Sequence, residues 1–165
     1  MQVVLGSRGD YSVRAVLYLA RHPGRVRRRE ISEVMDIPDK YLPQILGALV
    51  RAAIARSTVG RLGGYELARP PERISLREVV ETAEGPIRSD RCVLRSGPCY
   101  WGEKCAVHDA WAGAEDALSQ HLTATTFADL ARADWEIEQR SGTTARRADG
   151  RPALRAERPR HLDPA

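Results

Sequence analysis

The stretch Asp39-Lys40-Tyr41-Leu42-Pro43-Gln44-Ile45-Leu46-Gly47-Ala48-Leu49-Val50-Arg51, followed by Ile54 to Val59 and by Gly60-Arg61-Leu62-Gly63-Gly64, decides the fold. Leu42, Ile45, Leu46 and Leu49 recur at helical spacing and form one apolar stripe, which leaves Lys40, Gln44, Gly47 and Arg51 on another, polar and basic face. Asp39 is the expected N-cap. Pro43 falls in the first turn, where few backbone donors have intrahelical partners. Ile54 to Val59 and Tyr65 to Ala68 read as two strands around the glycine-rich turn, whose glycines permit a tight hairpin.

Working back from that stretch, two more helices are expected. Val13, Val16, Leu17 and Ala20 form a stripe between Tyr11 and Ala20, ended by His22-Pro23-Gly24. A short helix from Arg29 to Met35 sets Ile31, Val34 and Met35 on one face, and Ile37-Pro38-Asp39 breaks it. Three helices and then a glycine-tipped hairpin is the order of a winged helix-turn-helix.

Working forward, Ser75-Leu76-Arg77-Glu78 has the spacing of a capping box and opens a helix to Gly85. Val107, Trp111, Ala114, Leu118 and Leu122 make one apolar stripe on a long helix that must pack on something. A last helix runs from Thr126 through Phe127, Leu130 and Ile137. From Ser141 onward only Leu154 and Leu162 are large aliphatics among Arg, Pro, Gly and Ala, so a disordered basic tail is expected over 141–165. The expected organisation is a DNA-binding domain over 1–70, a cysteine loop with dimerisation helices over 71–140, and that tail.

At 165 residues the chain allows one compact domain with an appended element and excludes a large multidomain enzyme. The longest apolar run, Ala15 to Ala20, falls far short of the roughly 20 residues that span a bilayer. No basic start with an apolar core opens the chain, so the cytoplasm is the expected compartment and no membrane partner is expected. Charge is uneven. Residues 1–69 carry 12 Lys/Arg against 6 Asp/Glu, residues 70–140 carry 8 against 13, and residues 141–165 carry 6 against 3. A basic first half suits phosphate contacts. There the candidates are Lys40, Tyr41, Gln44 and Arg51 on the third helix for base edges, and Arg56 and Arg61 on the hairpin. Arg27 and Arg28, in the run Arg25-Val26-Arg27-Arg28-Arg29, add affinity without specificity.

The three cysteines lie within fourteen residues: Cys92, six residues, Cys99, five residues, Cys105, then two residues to His108. A clustered odd set points to metal or redox chemistry rather than a disulfide framework. Wide gaps containing Gly97, Pro98 and Gly102 favour a loop around an iron–sulfur cluster over the tight knuckles of structural zinc. Zinc and plain thiol sensing stand as alternatives. No Cys-x-x-Cys pair, phosphate-binding glycine loop, His-Glu-x-x-His helix or nucleophile elbow is present, which argues against an enzyme.

Gly9-Asp10-Tyr11-Ser12-Val13-Arg14-Ala15, Ile31-Ser32-Glu33, Tyr41-Leu42-Pro43-Gln44-Ile45-Leu46, Gly63-Gly64-Tyr65 and the Cys-x6-Cys-x5-Cys-x2-His spacing together resemble the Rrf-two family of bacterial transcription regulators, over about residues 1–140. The resemblance implies a mainly α fold, a winged helix-turn-helix with a two-stranded wing and a long C-terminal dimerisation helix. It also implies a homodimer on double-stranded DNA, at a palindromic promoter operator. Cys92, Cys99 and Cys105 would hold an iron–sulfur cluster, 2Fe–2S in preference to 4Fe–4S, that senses redox state, nitric oxide or iron–sulfur status. The fourth ligand is His108 in IscR-like members or Asp10 of the partner subunit in NsrR-like ones.

Overall fold

The computed structural model describes residues 4–60, 63–87, 92, 94 and 105–141. The cysteine-loop positions between 88 and 104 other than Cys92 and Leu94, Arg61 of the wing, and the tail beyond Ser141 lie outside the described residues. Among the described residues, six α-helices and a two-stranded antiparallel sheet follow in the order α1 (Ser7–Arg21), α2 (Arg28–Met35), α3 (Leu42–Arg51), β1 (Ala55–Thr58), β2 (Gly64–Leu67), α4 (Leu76–Glu84), α5 (His108–Ala124) and α6 (Phe127–Ser141), with a 3-10 turn at Pro71–Arg73.

The α3 stripe is buried as expected, with Leu42, Leu46 and Leu49 closed off completely and Ile45 almost so. Its start differs from expectation. Asp39 is not the N-cap, because Pro38 to Tyr41 form a turn in which the Tyr41 N–H donates to the Pro38 carbonyl at 2.9 Å. Tyr41 takes the cap position without a side-chain cap bond. Lys40 and Tyr41 therefore precede the helix instead of riding on it. In α1 the buried face is Ser12, Ala15, Val16, Leu19 and Ala20, while Val13 and Leu17 pack half-buried at its edge. The helix is covered on more than one side, so its buried arc is wider than the apolar stripe. In α2 Ile31 is buried and Val34 and Met35 flank it.

β1 and β2 pair in register from Ala55 with Leu67 to Thr58 with Gly64. Gly60 has φ 108°, as the hairpin requires. A Cβ on Gly63 would lie 2.3 Å from the Thr58 carbonyl oxygen, so only glycine closes the turn. Ser75 caps α4 by accepting from the Glu78 N–H at 3.2 Å. The Glu78 carboxylate does not complete the box; it pairs with Arg69, whose guanidinium also donates to the Arg73 carbonyl at 2.9 Å.

One core runs through the molecule. Ile74, Val79, Phe127 and Ala131 belong to the same buried cluster as α1 and α3, so it is continuous across position 70. Arg21, at the end of α1, is only 4% exposed and donates to Asp134 and Glu138 of α6. Burial opposes its charge, and the two carboxylates outweigh that and raise its pKa. No residue of α5 is buried: Leu118 is 40% exposed, as is Val107 at the N-cap, and Trp111 and Leu122 are half-buried.

Candidate nucleic-acid interface

With its apolar stripe turned inward, α3 leaves Gln44 and Arg51 exposed, while Gly47 is half-buried. At its entry Tyr41 is 43% exposed. The Lys40 ammonium lies 4.8 Å from the centre of the Tyr41 ring, a cation–π distance. The Tyr11 ring of α1 stacks on Tyr41 with centres 6.0 Å apart and planes at 26°. Tyr11 was not among the site residues expected from sequence. Its partner lies thirty positions away, and no periodicity pairs the two.

The basic loop joins the wing. Val26 and Tyr65 exchange backbone hydrogen bonds at 2.9 and 2.8 Å, an antiparallel bridge beside β2. A Cβ on Gly64 would meet the Val26 carbonyl oxygen at 2.6 Å, so glycine allows the two backbones to close up. Burying Val26 in this way leaves Arg25, Arg27, Arg28 and Arg29 exposed around it. Arg29 is engaged by Glu33 at 2.7 Å, and that hydrogen bond raises its pKa. Arg56 of β1 pairs across the sheet with Glu66 at 3.1 Å, which offsets its charge locally. Glu30, in the first turn of α2, is drawn inward as the acceptor of the Tyr18 hydroxyl at 2.8 Å. Burial and that bond push the Tyr18 pKa well up. Val59 beside the hairpin turn is 98% exposed.

Of the expected metal ligands, Cys92 and Cys105 are half-buried free thiols, and Cys99 lies outside the described residues. His108 is the first residue of α5 and exposed; its N–H donates to the Cys105 carbonyl at 3.0 Å, which places both residues on one turn. Asp10 is held by Arg14 through two hydrogen bonds of 2.7 and 2.8 Å. Among the described residues no three His, Cys, Asp or Glu side chains converge on a common point. As a donor set, three thiols with an exposed imidazole three residues beyond the last fit an iron–sulfur cluster chemically.

Comparison with known proteins agrees with the winged-helix fold. The family described as iron-dependent transcriptional regulator matches residues 5–133. The transcriptional regulator IscR of Yersinia enterocolitica is 31% identical over 153 residues, covering 90% of this chain and 93% of that protein. Among solved structures, IscR of T. potens has a TM-score of 0.69 at 25% identity, over 84% of this chain and 93% of that one. CymR, the global cysteine regulator of B. subtilis, has a TM-score of 0.68 at 25% identity, over 80% and 98%. No described helix is long and apolar enough to cross a membrane. The chain belongs to the Rrf-two family, and it is a DNA-binding winged-helix transcription regulator and not an enzyme.

Proposed function

We propose that the chain acts as a cytoplasmic homodimer on a palindromic operator, with its DNA affinity set by an iron–sulfur cluster. The observation that carries the DNA reading is the Val26–Tyr65 bridge, which supports Arg27 and Arg28 beside the wing while α3 offers Gln44 and Arg51. In that role Tyr41, Gln44 and Arg51 meet base edges and nearby phosphates in the major groove. Arg27, Arg28 and Lys40 neutralise phosphates, and Arg56 and Arg61 do so from the wing. The twofold partner is a second copy of the chain, joined through the face of α5 that a single chain leaves open.

Cys92, Cys99 and Cys105 would hold the cluster, with His108 as the fourth ligand ahead of Asp10. His108 shares a turn with Cys105, whereas Asp10 is already bound by Arg14. When bound, such a cluster supplies redox and nitric-oxide-reactive chemistry. What the chain contributes is position: the thiols lie in sequence between α4, which packs on α1, and α5. The likeness to CymR favours a second reading, a cluster-free regulator that responds through its thiols. Purification without oxygen, followed by iron, zinc and acid-labile sulfide assays, tests the proposal. Iron with sulfide is expected. Zinc, or a metal-free protein with three titratable thiols, contradicts it.

A further inference from the structure

Tyr41 stands where α3 begins, and nothing in its own side chain caps the helix. The hydrogen bonds of the turn before it are local, from the Tyr41 and Leu42 N–H groups to the Pro38 carbonyl at 2.9 and 3.4 Å. Tyr41 is 43% exposed, so packing covers only part of it. Tyr11 differs on each count. It lies within the first turns of α1 and packs half-buried on the core. Two residues before it, the Gly9 N–H donates to Glu84 Oε1 of α4 at 2.7 Å. Three residues after it, Arg14 Nη1 donates to the Met35 carbonyl at the end of α2 at 3.2 Å. The turn of α1 that carries Tyr11 is thus tied to α4 on one side and to the end of α2 on the other, and the Tyr11 ring it presents is the surface on which Tyr41 stacks.

We infer that Tyr11 is a specificity-determining positioning residue: its ring sets the orientation of Tyr41 at the entry of α3, and so the register of that helix on base edges. This rests on the proposed placement of Tyr41 in the DNA interface. Tyr11 acts through Tyr41. It therefore governs discrimination between sequences, whereas the phosphate contacts that set the salt dependence remain in place.

The test uses the full-length protein and two duplexes, one selected by the wild-type protein from a randomised pool and one scrambled. Affinities for both are measured over a range of salt for Tyr11→Phe, Tyr11→Leu, Tyr11→Ala, Tyr41→Ala and the Tyr11→Ala/Tyr41→Ala double variant. Tyr11→Phe keeps the stack and should match wild type. Tyr11→Ala should lower the selected-to-scrambled affinity ratio by about 2- to 12-fold, the range of ordinary ring stacking, with an unchanged salt slope. Tyr11→Leu retains apolar volume and guards against loss of fold, and it should lower the ratio likewise. In the Tyr41→Ala background the Tyr11 change should add nothing. If Tyr41→Ala lowers the ratio while folded Tyr11→Leu leaves it alone, or if the two losses simply add, the inference is overturned. A ratio unmoved by Tyr41→Ala would instead overturn the placement of Tyr41 on which it rests.

Discussion

Val26 and Tyr65 are joined by a reciprocal pair of backbone hydrogen bonds, and the arginine loop is thereby bridged to the wing beside β2. The closeness depends on Gly64, next to Tyr65. Gly64→Ala sets a methyl group against the Val26 carbonyl, and one backbone has to move. The variant should lose about 1 to 3 kcal/mol of stability. Because the displaced loop carries the proposed phosphate contacts of Arg27 and Arg28, affinity for selected and scrambled DNA should fall alike. Denaturant titration and DNA binding check both; a fall confined to the selected sequence would contradict this role for the loop.

Arg21 ties the end of α1 to α6. Removing its partners in Asp134→Ala/Glu138→Ala leaves a guanidinium of 4% exposure without a counter-charge, at a cost of about 3 kcal/mol or more. Arg21→Met should cost less, since both carboxylates reach solvent. Urea unfolding of the two variants gives the order, and equal losses would count against the buried-cation account.

These two features also mark what sequence could and could not reveal. The α3 stripe was legible because its four leucine and isoleucine positions repeat at one spacing. The hairpin was legible from its glycines. The Arg21 ion pairs span 113 and 117 positions, and the Tyr11–Tyr41 stack spans thirty, so no local pattern announces them. Asp39 read as a cap because capping is local chemistry, but the turn in which the Tyr41 N–H donates to the Pro38 carbonyl delays the helix by two residues. The α5 stripe was visible in sequence, and its half-exposed state is a property of the single chain.

That stripe yields a third prediction. Leu118→Glu introduces a charge on the α5 face without touching the buried core. The wild-type protein should have a dimeric mass by light scattering, and the variant a monomeric mass with its helical circular dichroism retained. A variant that stays dimeric would place the interface elsewhere.

The start of α6 carries a pH-dependent contribution. Asp129 Oδ2 accepts from the Thr126 hydroxyl at 2.6 Å and from the Thr126 N–H at 3.3 Å, and Thr126 Oγ1 accepts from the Asp129 N–H at 3.2 Å. The hydroxyl bond first, and the backbone bond and Arg132 after it, hold the Asp129 carboxyl below the usual aspartate range. A carboxylate whose pKa is depressed by folding stabilises above its unfolded value of about 4, and that stabilisation is lost as pH falls through the lower folded value. Thr126→Ala should cost about 1 kcal/mol at neutral pH. The stability gap between wild type and Asp129→Asn should be present at pH 7 and close on acidification through that window. A gap independent of pH would show that the charge contributes nothing.

If a cysteine-held cluster sets DNA affinity, removing one of its thiols in Cys99→Ala should change that affinity. The measurement is the affinity of wild-type and Cys99→Ala protein for the selected duplex, both prepared without oxygen, with bound iron and sulfide determined on the same samples. The account predicts a Cys99→Ala dimer without a cluster and an affinity changed by about 5- to 150-fold, the usual range of coupling between sites. An unchanged affinity, with cluster loss demonstrated in the same sample, would contradict it.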